Sequence, residues 1–346
     1  MAPFFDLFHN SVVGRICRLD SFWLRILCAI ACVSSSGALV LKMYGVLPMR
    51  VSILYLYLPS LMLLALVCLG TQTRQRRDVR DAIIVGAFAG LLATFAYDIA
   101  RIPFLLAGVR VFITHDAYGI WIAEAALSNR FTHALGWAYH FSNGISFGII
   151  YALFMRGEHW GWAVLYALML ETINLLTPFS VVFGISRNWL AIGILYLGHL
   201  AFGVVLGVVV QNFKRSMAWL GARPIWQVAC ALVAGVALLT IDTVLPASAA
   251  LDARASAGVF KIEGNLLNPD FIRLVDGRRE VEIRNPDNRP VTVKMRPIER
   301  SLTVPPNSHL RLELPHEGIF QLFVEAPGRT TSSFVIVEPA ERIPSR

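Results

Sequence analysis

The chain has 346 residues, of which 56% are hydrophobic and only 16% are charged, and its mean hydropathy is +0.59. These values exclude an ordinary soluble protein and place most of the chain in lipid, while the length is enough for about two domains. The formal net charge of +8 is typical of arginine-rich cytoplasmic loops in membrane proteins, so it does not indicate a nucleic-acid partner.

Residues 1–246 contain seven apolar runs, each about 20 residues long, which is the length that crosses a hydrocarbon core of about 30 Å. They predict transmembrane helices at 22–42, 51–69, 82–102, 134–155, 160–177, 188–211 and 224–245. This part of the chain is therefore predicted to be an α-helical polytopic membrane bundle surrounded by a lipid bilayer.

Arginine and lysine residues are densest in the loops on one side of these spans. That side holds Arg15, Arg18, Arg25, Arg74, Arg76, Arg77, Arg80, Arg156, Lys214, Arg215 and Arg223. Because positive charge marks the cytoplasmic side, we expect a cytoplasmic N-terminus and, after seven crossings, an extracytoplasmic C-terminal domain. In the inner membrane of a bacterium, that domain lies in the periplasm.

The connector at 103–133 is the longest in the membrane part. It is too polar to span the bilayer and too apolar to be a free loop. Its stretch 117–127 predicts an interfacial helix with Trp121 at headgroup level. A lid over a site beneath it is the alternative.

Four of the predicted spans each carry a stripe of small residues at four-residue spacing, with one ionisable residue at its end. The ionisable residues are Asp98, His140, Glu171 and His199. Small residues at this spacing allow helix backbones to approach closely in lipid. In the predicted orientation, all four ionisable groups lie about 6 to 16 Å below the outer boundary, at a rise of about 1.5 Å per residue. Since ionisable groups within a membrane mark functional sites by default, we expect these four to meet.

Two carboxylates and two imidazoles in a medium of low dielectric suit a divalent transition metal such as iron, zinc or manganese. Asn143 and Asn174 are candidates for further ligands or for hydrogen-bond partners of the ligands. His133 is a candidate for a fifth ligand or for a residue of the access path. An ion pair between Asp98 and Arg101 is an alternative role for Asp98. The alternative for the whole set is hydrogen bonding between helices, at about 1 kcal/mol for each group.

The same pattern occurs twice within 82–211. Asp98 is followed by Pro103-Phe104 and then by a helix with His-x3-Gly-x3-Gly, and Glu171 is followed by Pro178-Phe179 and then by the same motif. We therefore predict a tandem two-helix repeat about a pseudo-twofold axis along the membrane normal.

After an Ala/Ser-rich linker at 247–258, residues 259–340 change to short runs with period-two alternation, separated by turn residues. The runs are 259–263, 271–275, 280–284, 291–295, 310–314, 319–325 and 333–337. Seven such strands predict a small all-β sandwich.

The order of these strands and turns resembles a cupredoxin over about 80 residues. The resemblance rests on four motifs: Asn268-Pro269-Asp270-Phe271, Arg284-Asn285-Pro286-Asp287, Val304-Pro305-Pro306-Asn307, and Gly318 to Phe323 leading to Pro327-Gly328. It implies a copper site made by two His, one Cys and usually one Met.

The copper ligands that the resemblance implies are missing from the sequence. Val324 stands where the Cys would follow its strand, no Met follows Pro327-Gly328, and the domain's histidines, His309 and His316, fall where strands meet turns. We therefore expect no copper site and interpret the domain as a docking or capping module for a protein partner.

Taken together, the sequence favours a membrane metalloenzyme, a hydrolase or an oxidase or oxygenase, acting on a lipid-soluble or periplasmic substrate. Three alternatives stay open at this point: a transporter of metal ions or protons, a haem-binding electron-transfer protein using His140 and His199, and a non-enzymatic scaffold subunit of a membrane complex. The nearby carboxylates disfavour haem.

Overall fold

The computed structural model describes residues 21–69, 74–222 and 258–338, without 108, 110, 126, 127, 184, 187, 265, 270, 276, 297 and 325–330. The predicted seventh span at 224–245 and all but the last residue of the predicted linker at 247–258 lie outside the described residues.

The described part before residue 223 is helical. Its helices are α1 (Ser21–Met43), α2 (Met49–Cys68, with a π-helical stretch at Ile53–Tyr57), α3 (Arg74–Leu106), α4 (Ile113–Ala123), α5 (Arg130–Phe154), α6 (Gly161–Leu176), α7 (Phe179–Val182), α8 (Trp189–Gln211) and α9 (Phe213–Ala222). The six predicted spans that fall within the described residues all form helices.

Four helices are long and apolar enough to cross a membrane: α1, α2, residues Arg77–Leu106 of α3, and α8. Helix α6 is apolar but has only 16 residues. Helix α5 has 25 residues, but polar side chains such as His133, His140 and Asn143 lower its mean hydropathy. The structure therefore supports a membrane protein with four candidate spans in its described part, fewer than the seven predicted.

The predicted small-residue stripes lie where helices touch. A Cβ atom added to Gly86 would stand 2.6 Å from the Cα atom of Ile149 on α5, and one added to Gly90 would meet the carbonyl oxygen of Gly144. Helices α6 and α8 meet in the same way, since a Cβ atom on Gly203 would stand 2.6 Å from the Cα atom of Val164. Glycine thus permits backbone contact in both helix pairs, as expected for packing in lipid.

The described residues from 258 onward form nine strands. These are β1 (Val259–Glu263), β2 (Leu266–Asn268), β3 (Phe271–Leu274), β4 (Glu280–Asn285), β5 (Val291–Arg296), β6 (Arg300–Val304), β7 (Ser308–Glu313), β8 (Gly318–Val324) and β9 (Thr331–Val337). They build a four-stranded sheet in the order β2-β1-β4-β7 and a five-stranded sheet in the order β3-β9-β8-β5-β6. The pairs β1/β4 and β3/β9 are parallel and the others antiparallel.

The seven predicted strands are all present, and β2 and β6 are the two that the sequence pattern missed. Strand β2 has only three residues, and β6 exposes most of its side chains, so neither shows the alternation by which a half-buried strand is recognised. Strand β8 buries side chains on both faces, which explains its nearly continuous apolar run. His309 is the second residue of β7, directly after the turn that precedes the strand, and it lies opposite Arg284.

Candidate metal centre

The connector between the third and fourth predicted spans contains helix α4. It begins four residues before the predicted interfacial helix, and it buries Trp121, which is only 4% exposed. Two glycines explain its burial against α5: a Cβ atom on Gly119 would collide with the carbonyl oxygen of Thr132, and one on Gly136 with that of His115. The backbones of α4 and α5 are therefore in direct contact, and this contact fixes the position of His115.

Asp98 on α3, His115 on α4 and His140 on α5 form a group of potential metal ligands. Each offers one ligand atom, and the three atoms all lie within 4.8 Å of one another. Asp98 is fully buried, His115 is 1% exposed and His140 is partly buried. Three different helices thus bring one carboxylate and two imidazoles to the same place.

His115 is held among aromatic rings. Its imidazole stacks on that of His140, with ring centroids 4.1 Å apart, and meets the edge of Trp137 at 4.4 Å. Its Nδ1 atom is buried, and among the described residues it has no hydrogen-bond partner. A buried ring nitrogen in this state is one that a metal ion would satisfy.

The pKa of His115 is well below its usual range. Burial is the largest cause, because it disfavours the charged imidazolium, and the positive charges of His140, Arg101 and His133 act in the same direction. The His115 ring is therefore neutral at pH 7, which is the form that binds metals.

A second His–carboxylate pair lies beside this group. Asp116 follows His115 on α4, and its Oδ1 atom accepts a hydrogen bond from Nδ1 of His133 on α5 at 2.8 Å. His133 was a candidate from the sequence; Asp116 was not.

Arg101 and Glu171 are also buried, at 1% and 0% exposure. The Arg101 guanidinium lies 4.7 Å from the centre of the Phe112 ring and donates a hydrogen bond to the Val111 carbonyl oxygen. It acts electrostatically on both His115 and Glu171. The side-chain amide of Asn174 donates to the Glu171 carboxylate at 3.5 Å.

The four ligands predicted from the sequence are thus placed in different surroundings. Asp98 and His140 come together with His115, whereas the group within 4.8 Å does not include Glu171 or His199. The ring of His199 packs edge-on against that of Tyr97, with centroids 4.9 Å apart. Asn143 is partly buried, and its Oδ1 atom has no hydrogen-bond partner among the described residues. The four-ligand set as a whole stays a prediction.

The missed residue, His115, carries a signal in the sequence. It is followed four residues later by Gly119, the same His-x3-Gly spacing that begins at His140 and at His199. The hydropathy of the connector alone does not indicate a site residue, whereas this spacing marks His115.

One carboxylate and two imidazoles form a set of three protein ligands with coordination positions left over. Tetrahedral zinc with bonds of about 2.1 Å places its ligand atoms about 3.4 Å apart, so the group within 4.8 Å needs only a small contraction. Such sets occur in zinc hydrolases and in non-haem iron oxygenases, where the open positions take water, dioxygen or substrate.

Comparison of the chain with known protein families, with curated proteins and with solved structures finds no match.

Proposed function

We propose that this chain is a multi-pass membrane metalloprotein that binds one divalent transition metal ion through Asp98, His115 and His140. The observation that carries the proposal is the convergence of these three ligand atoms, from three helices, within 4.8 Å of one another. Iron, zinc and manganese are the metals whose preferences fit two imidazoles and one carboxylate.

Hydrogen bonding favours a metal over simple polar contacts between helices. A cation at the group gives the Nδ1 atom of His115 the partner that it lacks among the described residues. Interhelical hydrogen bonds alone would leave that nitrogen unsatisfied.

The same group supports an enzymatic role. Three protein ligands leave room for water, dioxygen or substrate, so a bound metal would supply Lewis-acid or oxidative chemistry. The buried guanidinium of Arg101, which acts on His115, is suited to stabilise negative charge that develops on a substrate. We therefore propose a hydrolase or an oxygenase whose substrate is lipid-soluble or comes from the outer side.

The arrangement of His140 favours a bare ion over haem. One face of the His140 ring is covered by His115, and the edge of Trp137 approaches it as well. The other histidine of the haem hypothesis, His199, packs against Tyr97.

Orientation and compartment belong to the same proposal. The arginine-rich loops support a cytoplasmic N-terminus. With seven crossings, the metal group would then lie in the outer half of a bacterial inner membrane. The two-sheet C-terminal part would then be a periplasmic, cupredoxin-like docking module for a protein partner.

Metal analysis tests the proposal. We expect about one iron, zinc or manganese ion for each chain purified in nanodiscs, and loss of that ion in Asp98→Asn and in His115→Gln. The control is His159→Gln, which alters an exposed histidine of the membrane part. The proposal is wrong if chains offered each of the three metals bind none, or if both ligand variants keep the wild-type metal content while folded.

A further inference from the structure

Arg156, which follows the end of α5, contacts the starts of two other helices. Its Nη1 atom lies 3.6 Å from Oδ1 of Asp78, near the start of α3. Its guanidinium carbon lies 4.9 Å from the centre of the Phe213 ring, at the start of α9. The end of α5 and the starts of α3 and α9 therefore meet at one end of the helical part.

Exposed cations lie on both sides of Arg156. Arg77 precedes Asp78 in sequence, and Lys214 and Arg215 follow Phe213 directly. The side chains of all three are exposed, and within the described part of the chain none of them has an acidic partner. We call Arg77, Arg156, Lys214 and Arg215 the basic cluster.

The acidic side chains at the same end do not neutralise the basic cluster. Asp78 pairs with Arg156 and Asp81 with Arg80, so each acid is already matched by one cation. The pair of Asp78 and Arg156 is solvent-exposed, with side-chain exposures of 54% and 34%, and such pairs contribute little. Glu158 is exposed as well. The described cations therefore outnumber the described acids, and the surface is positively charged.

Helix α9 has the pattern of a helix that lies at a membrane interface. Phe213 is buried, and Met217 and Leu220 pack with it against the same apolar core. Lys214 and Arg215 are on the exposed side, together with Trp219. A helix with one apolar side and a second side rich in Lys, Arg and Trp is typical of the boundary between headgroups and acyl chains.

Tryptophans at this end lie at the depth where lipid phosphates are found. Trp160, Trp162 and Trp219 are 40%, 53% and 49% exposed. The backbone nitrogen of Trp160 donates a hydrogen bond to Oε1 of Gln211 at 2.9 Å, which joins the start of α6 to the end of α8, two residues before α9. Exposed Trp side chains concentrate at the level of the headgroups. The basic cluster is therefore next to a ring of interfacial aromatic residues.

We propose that the basic cluster binds the phosphate groups of anionic phospholipids in the adjacent leaflet. The charge is complementary, since Lys and Arg side chains near a membrane surface are attracted to anionic lipid. Arg77 on α3 and Lys214 and Arg215 on α9 approach the headgroups from two helices that Arg156 connects. The bound lipid thereby fixes α9 against the bundle. This inference is independent of the metal, because none of its residues belongs to the metal group.

Lipid titration followed by native mass spectrometry tests the proposal. Delipidated full-length protein in a mild detergent is titrated with dioleoyl phosphatidylglycerol or with dioleoyl phosphatidylcholine, which differ in net charge. We expect wild type to bind phosphatidylglycerol at least tenfold more tightly. Lys214→Gln/Arg215→Gln should weaken phosphatidylglycerol binding roughly 20-fold and Arg77→Gln roughly fivefold, with phosphatidylcholine binding unchanged. Lys214→Arg/Arg215→Lys, which keeps both charges, should retain the wild-type affinity.

The matched control is Arg50→Gln/Arg130→Gln. It also removes two exposed cations, but these stand at the starts of α2 and α5, whereas the basic cluster adjoins the end of α5. The control should keep the preference for phosphatidylglycerol. The proposal is overturned if wild type binds the two lipids equally, or if folded Lys214→Gln/Arg215→Gln keeps the wild-type affinity. A control that loses as much affinity would also overturn it, because net charge alone would then explain the binding.

Discussion

The imidazoles of His115 and His140 are stacked, with ring centroids 4.1 Å apart and planes 29° from parallel, although the two residues lie on different helices. The stack brings one ring nitrogen of each histidine close to the carboxylate of Asp98, and the three potential ligand atoms all lie within 4.8 Å of one another.

Gly136→Ala should weaken metal binding without altering a ligand. A Cβ atom at this position would collide with the carbonyl oxygen of His115, so α4 must move and carry the imidazole away from His140. We expect a destabilisation of about 1–3 kcal/mol from overpacking and a clear loss of Zn²⁺ affinity in competition titrations. Gly193→Ala is the control, because a Cβ atom there meets nothing within 4 Å. Equal Zn²⁺ affinities for the two variants would argue against the contact.

Glu171→Gln and His199→Gln separate the observed group from the wider set predicted from the sequence. Neither residue belongs to the group within 4.8 Å, so both variants should keep one metal per chain. His140→Gln should lose it. If Glu171→Gln or His199→Gln removes the metal from a folded chain, the ligand set is the wider one.

The stability of the metal-free protein should fall as the pH drops below about 6.5, the usual pKa of histidine. Since the pKa of His115 is lowered in the folded state by burial and by His140, Arg101 and His133, the unfolded chain takes up a proton that the folded chain does not. Folded-state stability is therefore lost toward acid pH, at up to about 1.4 kcal/mol per pH unit. Thermal unfolding between pH 7 and pH 5 would show this slope.

The comparison for that slope is His115→Gln, which should unfold with a weaker dependence on pH. His159→Gln should keep the wild-type dependence, because His159 is exposed. A His115→Gln variant with the full wild-type slope would assign the effect to other groups.

Asn285→Ala should destabilise the sandwich. This residue is 1% exposed, and its side-chain nitrogen lies 2.9 to 3.0 Å from the carbonyl oxygens of Arg289, Val304 and Pro305. Leaving these acceptors without a partner should cost about 2–4 kcal/mol. Hydrogen exchange over 258–338 in the full chain would measure the effect, with Asn288→Ala as the exposed control. Unchanged protection would contradict this role.

Much of the fold could be predicted because its signals are local. Apolar runs placed the six helices that fall within the described residues, and period-two alternation placed seven of nine strands. The stripes of Gly86, Gly90, Gly144 and Gly148 predicted which helix faces pack together, since small residues are what close contact in lipid requires.

The site was harder to predict because its key contact is not local. His115 lies in a connector whose average hydropathy indicates neither a span nor a loop. It reaches His140 only because Gly119 and Gly136 let α4 pack against α5. The hydropathy of the connector does not predict this contact between α4 and α5, whereas the four-residue spacing from His115 to Gly119 does indicate it.

X-ray absorption at the metal edge tests the central claim most directly, because it counts the imidazoles bound to the metal. If the metal ion is bound by Asp98, His115 and His140, the spectrum of the metal-loaded protein should show two imidazoles and one carboxylate oxygen. The remaining scattering should come from light atoms. A count that stays at two imidazoles in folded His115→Gln, or a loaded wild-type protein with none, would contradict the account.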